Sequence, residues 1–153
     1  MSGQERRVVI TGMGAITPLG NSVKELWDGI TAGRSGIDTI QQVDATDYPS
    51  QVAGEVRNFN ATDFMDKREA RTMARFTQFA VAGAIEAMQD AGFGPNGEGG
   101  YDPERVGVYL GNGIGGFEIA EEGIIKLHER GPRAIPPMTI PKMITNEAGG
   151  NIS

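Results

Sequence analysis

The chain has 153 residues, 39% of them hydrophobic and 22% charged, which suits one ordinary globular domain. No apolar run approaches the roughly 20 residues that span a bilayer, and a formal charge of −6 argues against a nucleic-acid partner. With no cysteine and one histidine, His128, these residues hold no disulfide, thiolate zinc site, cysteine nucleophile, catalytic triad or multi-histidine metal centre.

The start, Met1 to Arg7, leads straight into a strand-like run rather than the core of a signal peptide. A cytoplasmic setting is therefore expected, and the sequons at Asn60 and Asn151 read as accidental. Twenty-three glycines, most of them at the ends of periodic segments, point to a folded protein with tight loops.

Arg6–Thr11 is a β-branched run closed by Gly12 and reads as a buried strand, followed by a loop, GMGAITPLGN. Ser22 and Glu25 form a capping box, and Val23, Leu26, Trp27 and Ile30 follow as one apolar helix face that stops at Gly33. Gln51–Val56 suits a short strand. The longest helix is predicted from about Lys67 to Ala91, with Gly92 at its C-terminal cap. Met73, Phe76, Ala80, Ala84, Ala87, Met88 and Ala91 make its buried stripe. Residues 92–100 read as a mobile loop and Arg105–Leu110 as a second buried strand. GNGIGG then opens a helix over about Gly116–Arg130, and a proline-punctuated segment, Pro132–Pro141, precedes a last helical start at Lys142. Trp27 and Phe76 read as core, and His128 as an exposed position among Lys126, Glu129 and Arg130. The alternation of elements, with continuous apolar strands, argues for an α/β fold with a largely parallel sheet. The end at Ser153, shortly after Gly149 and Gly150, reads as that of a fragment.

Gly111-Asn-Gly113-Ile-Gly115-Gly116 satisfies G-x-G-x-x-G, the pattern of a dinucleotide-binding turn. That fingerprint also needs a second strand after the helix, ending in an acidic residue that holds the ribose. Here GPRAIPPMTIP follows, with four prolines in the ten residues 132–141, which no central strand tolerates. The plainer reading is a tight strand-to-helix turn.

RRVVITGMGAITPLGN, GNGIGG, GPRAIPPMTIP and the closing NEAGGNIS, in this order and spacing, resemble the N-terminal part of β-ketoacyl-[acyl-carrier-protein] synthases of the type II kind. The resemblance runs over essentially the whole chain but well under half of a complete family member. It implies a thiolase-like fold of two related α/β halves, of which residues 1–153 form most of the first. It further implies a decarboxylating Claisen condensation in fatty acid elongation. In that reaction a cysteine at a helix N-terminus takes the acyl group, and two histidines with backbone amides stabilise developing charge. The cysteine would come shortly after Ser153, and the histidines and a lysine later, so no catalytic residue carries over onto this chain. No cofactor is implied.

Other positions do carry over from the resemblance. Ile114 matches the isoleucine that closes the acyl pocket of type II enzymes. Met138, Thr139 and Ile140 match a segment that crosses a homodimer interface and lines the neighbour's pocket. Thr139 departs from the bulkier aromatic of some relatives, which leaves chain length open. Arg68, Arg71 and Arg133 match positions facing the acidic acyl carrier protein. Thr72 and Ala134 stand where the family often has further basic residues. Without the resemblance, Ile114 and Met138–Ile140 read as ordinary core or loop packing. Lys67, Arg68, Arg71 and Arg75 read as a solvated face laced with Asp63, Asp66 and Glu69. Charges at the start of a long helix would oppose its dipole. A noncatalytic subunit of the chain-length-factor type shares these motifs, and the residues that would separate it from a synthase lie beyond Ser153. On its own the chain is expected to expose apolar surface and self-associate.

Overall fold

A computed structural model describes residues 7–94 and 99–153. In chain order it comprises α1 (Val23–Thr31), β1 (Ile37–Thr39), β2 (Val52–Gly54), α2 (Lys67–Thr72), α3 (Arg75–Asp90), α4 (Phe117–Arg130), α5 (Thr139–Met143) and α6 (Glu147–Ile152). Single 3-10 turns lie at Ala61–Asp63, Pro103–Arg105 and Pro132–Ala134.

α1 starts where the sequence signals it. Ser22 Oγ accepts the Glu25 N–H at 3.2 Å, although the Glu25 carboxylate reaches back to the Asn21 N–H, 2.6 Å, one residue beyond a full capping box. Gly33, at φ +65°, follows its end. The predicted apolar face is only half covered: Val23 and Leu26 are partly buried, but Trp27 is 63% exposed and Ile30 is exposed too. Trp27 is therefore not a core residue among the described elements, because none of them packs over that face. Phe76 is half-buried.

The expected long helix from Lys67 to Ala91 is two helices. Met73 (φ −102°, ψ 143°) and Ala74 (φ −74°, ψ 165°) take extended backbone and break it into α2 and α3. Asp66 and Glu69 form a complete capping box for α2, which fixes the predicted start at Lys67. The break leaves carbonyls without helical partners, and the Gln78 amide bonds two of them, Ala70 O at 2.8 Å and Met73 O at 3.5 Å. It also changes the buried stripe: Ala74, Thr77, Val81 and Ala82 are buried, while Met73, Phe76, Ala80, Ala84, Ala87, Met88 and Ala91 are half-buried. α6 packs on α3, with Ala82 and Ala148 fully buried; side chains this small let two helices approach closely. At its far end α3 stops before Gly92 (φ +79°), as predicted.

The sheet within the described residues is one antiparallel pair, with Ile37 opposite Gly54, Asp38 opposite Ala53 and Thr39 opposite Val52. Among the described residues neither Arg7–Thr11 nor Val106–Leu110 pairs with a neighbour, and Arg105 belongs to a 3-10 turn. Val8 is 95% exposed and Tyr109 99%. The parallel sheet expected from these two segments is thus not assembled here. A parallel strand takes its neighbour through a crossover from distant sequence, and without that neighbour its N–H and C=O groups gain nothing by lining up. Arg6 and residues 95–98 of the predicted loop lie outside the described residues.

The hairpin region is anchored to α3 by one cation. Arg75 donates to Val56 O at 2.6 Å and lies 4.8 Å above the Phe79 ring and 5.8 Å from that of Phe59. Phe59 in turn stacks on Phe64 and meets Phe79 edge-on.

Candidate functional site

Ile114 stands on the turn that leads into α4. The turn is built by its neighbours: Asn112 Oδ1 accepts the N–H groups of Ile114 (3.1 Å) and Gly115 (2.9 Å), an Asx turn. Gly116 N–H donates to Met143 O at 3.0 Å. Gly115 has φ +81°, and a Cβ there would lie 2.5 Å from Met143 O, so only glycine fits between this turn and the end of α5. A Cβ on Gly116 would meet Lys142 O at 2.7 Å on one side and the Ala74 methyl at 3.3 Å on the other. The turn is held between the α2–α3 elbow and α5.

These bonds weigh against a dinucleotide. The amides of residues 114, 115 and 116 already have acceptors within the chain, so they are not free to cradle a pyrophosphate. No strand follows α4 among the described residues.

α5 begins at Thr139, three residues before the expected start at Lys142, and Thr139 Oγ1 donates to Pro136 O at 2.7 Å. Pro141 falls in its first turn, where a missing N–H costs nothing, and so does not delay the helix. α5 packs along α4, with Thr139 Cγ2 3.4 Å from where a Cβ on Gly123 would be. The C-terminal end of α5 meets the Ile114 turn, so Ile114 and Met138–Ile140 sit on one α4–α5 unit. Ile114 is 69% exposed; Met138 and Ile140 are exposed and Thr139 is half-buried. Neither of two polar hollows, of about 360 Å³ near Arg34 and Arg57 and about 330 Å³ near Glu55 and Arg75, is lined by any of the four.

Arg68 and Arg71 are exposed on α2 and make no ion pair among the described residues. The acids expected to lace this face are engaged elsewhere. Asp66 and Glu69 cap α2, and Asp63 accepts from Asn60 Nδ2 at 3.0 Å. Because α2 is short, Arg71 lies in its last turn, where a cation suits the dipole. Arg75 does not belong to this face, being tied to Val56, Phe79 and Phe59. Arg133 is exposed just past the C-terminal end of α4. The opposite end of α4 touches Ala74, and its 14 residues are about 21 Å long. Arg133 thus sits beyond the end of α4 opposite the one that meets Ala74. His128 is exposed on α4, where Lys126 pairs with Glu122 at 2.6 Å.

Sequence reading passed over three residues that hold this arrangement. Asn112 carried a local signal, an Asn two residues before the amide it caps. Gln78 and Glu86 carried none, since their partners lie across a helix break or far along the chain.

Comparison with known proteins agrees with this architecture. The chain is 45% identical over 150 residues to 3-oxoacyl-[acyl-carrier-protein] synthase 2 of Staphylococcus aureus strain N315, covering 98% of this chain and 36% of that protein. It thus spans about a third of the length of the curated relatives it matches. It superposes on the ishigamide ketosynthase/chain length factor with a TM-score of 0.78 at 27% identity, covering 96% of this chain and 36% of that one. A second solved structure, a type II acyl-carrier protein in complex with its ketosynthase (AntDE:AntF), gives 0.76 at 23% identity, covering 97% and 38%, a likeness of fold alone. These neighbours have the thiolase-like ketosynthase fold expected from the sequence. The family model described as beta-ketoacyl synthase, N-terminal domain, matches residues 5–153, so this chain belongs to the β-ketoacyl synthase family.

Proposed function

We propose that this chain is the N-terminal part of a type II condensing enzyme that elongates acyl chains by decarboxylating Claisen condensation of acyl and malonyl groups carried on acyl carrier protein. In this reading the Ile114 turn closes the acyl pocket and Met138, Thr139 and Ile140 line it from across a homodimer interface. The supporting observation is the turn itself. Two Asn112 bonds, a positive-φ Gly115 and the Gly116–Met143 bond fix where Ile114 projects, as a wall residue requires. The exposed apolar positions on α4 and α5, among them Phe117, Ile124 and Ile140, suit burial against a second subunit. Arg68 and Arg71, free of ion pairs among the described residues, suit an acidic carrier; Arg133, past the other end of α4, would serve a carrier seated between subunits. A cytoplasmic setting fits this chemistry, and no helix among the described residues is long and apolar enough to cross a membrane.

In the full-length protein, Arg71→Glu should raise KM for acyl carrier protein substrates about tenfold, equivalent to 1.4 kcal/mol, while acyl-CoA substrates keep theirs. Equal effects on both would remove the carrier surface. Enlarging Ile114 to Phe should shorten the acyl chains accepted with little change in melting temperature; an unchanged chain-length profile would remove Ile114 from the pocket. Likeness to a ketosynthase/chain length factor structure favours a noncatalytic subunit as the second reading. Iodoacetamide labelling of the full-length protein separates the two, since only a synthase loses condensing activity as one cysteine is alkylated.

A further inference from the structure

The backbone leading into α4 is tightly held on one side and loosely on the other. A Cβ on Gly115 or Gly116 would collide with the carbonyl of Met143 or Lys142, and the Gly116 N–H bonds Met143 O. Ahead of these two glycines, residues 111–114 make no backbone–backbone hydrogen bond among the described residues. A Cβ on Gly111 or Gly113 would meet nothing within 4 Å, so no neighbour packs against that stretch. Two glycines in four residues also give it wide conformational freedom. Neither main-chain bonding nor packing decides where Ile114 points.

Asn112 does. Its Oδ1 reaches past Gly113 to accept the N–H groups of Ile114 at 3.1 Å and Gly115 at 2.9 Å, so one atom ties the loose side of the turn to the held side. The side chain is half-buried, and its Nδ2 donates to no group among the described residues. Only the acceptor oxygen is used. A carboxylate presents that oxygen on a stem of the same length, whereas a serine hydroxyl accepts more weakly from a shorter one. An alanine methyl accepts nothing.

We propose that Asn112 is a positioning residue for acyl-chain-length specificity, holding the backbone of Ile114 so that its side chain closes the pocket at a fixed depth. This rests on the reading of Ile114 as a pocket wall and adds a residue that acts through it. Discrimination by an apolar wall turns on single methylenes, each worth about tenfold or more in kcat/KM. A small drift of Ile114 is therefore enough to move the cut-off, without any change in the residues that carry out the condensation.

The test measures kcat/KM of the full-length protein on acyl carrier protein substrates of increasing chain length, for wild type, Asn112→Ala, Asn112→Ser, Asn112→Asp and Ile114→Phe. Asn112→Ala should blunt the cut-off, raising activity on the first rejected length relative to the longest accepted one about tenfold. Asn112→Asp should keep the wild-type profile and Asn112→Ser should fall between. If Asn112→Ala does not fold, Asn112→Ser carries the comparison with Asn112→Asp. An unchanged profile in Asn112→Ala, while Ile114→Phe shortens the chains accepted, overturns the proposal and leaves the pocket reading standing. An Ile114→Phe profile like that of wild type removes the pocket reading and this proposal with it. Losses equal at every length in Asn112→Ala and Asn112→Ser would show a purely structural role and overturn the proposal, as would an Asn112→Asp profile as blunted as that of Asn112→Ala.

Discussion

The carboxylate of Glu86 accepts the N–H of Ala15 at 2.8 Å, joining residues 71 positions apart. Its second oxygen accepts the Val23 N–H, also at 2.8 Å, so one side chain of α3 fixes both the loop after the first segment and the first residue of α1. One turn further along α3, Asp90 accepts the Met13 N–H at 3.0 Å. Charged acceptors bonded to backbone amides are among the stronger hydrogen bonds. Glu86→Gln, which turns one acceptor oxygen into a donor, should cost about 1–3 kcal/mol in urea unfolding with an unchanged m-value. Asp90→Asn, on an exposed bond, should cost less. Equal losses would show that Glu86 is no special anchor.

The same loop lies on α3 without room for a side chain. A Cβ on Gly14 would overlap the Gly83 carbonyl, whereas one on Gly113 would meet nothing within 4 Å. Gly14→Ala is therefore expected to destabilise by about 3 kcal/mol or to prevent folding, and Gly113→Ala to stay within about 1 kcal/mol of wild type. Thermal melts of the two variants side by side check the contrast.

Acid should loosen the hairpin region first. The Thr39 N–H, then Arg57, hold the Asp38 carboxyl below the usual carboxylate range. The Gln42 N–H, followed by weaker help from Gln41 and Arg57, outweighs burial and lowers Glu55 as well. A carboxyl whose pKa is lower folded than unfolded stabilises the fold above its unfolded value, and that contribution disappears as pH falls through the folded value. Amide exchange at Gln41 and Gln42, after correction for intrinsic rates, should therefore speed up as pH drops below about 4. Glu55→Gln should remove that acid sensitivity; a variant that kept it would point to other groups.

The 153-residue chain by itself should self-associate. Val8, Val9, Ile10, Tyr109, Leu110, Phe117 and Ile124 are large, apolar and exposed, and uncovered apolar surface favours association. Light scattering should show mass rising with concentration. A monomer stable to dilution would contradict this.

How far the sequence reached depends on the range of the forces involved. Ser22 before α1, Gly33 and Gly92 at helix ends and the Gly115–Gly116 turn were legible because capping and positive φ act within a few residues. The family motifs were legible for the same reason, since each is a short contiguous segment. The break at Met73–Ala74 was not, because the periodicity of the apolar residues runs through it and the capping box at Asp66 marks only the start of α2. Nor could sequence show that Arg75 leaves the basic face to sit over Phe79, or that Asp66 and Glu69 are occupied with capping rather than with Arg68 and Arg71. Caps and motifs by themselves determined where α1, α2 and α4 begin and which family the chain resembles. Only the tertiary structure decided which cations stay free, which strands find partners and which side chains hold the Ile114 turn, because those outcomes depend on groups tens of residues apart competing for the same few hydrogen bonds.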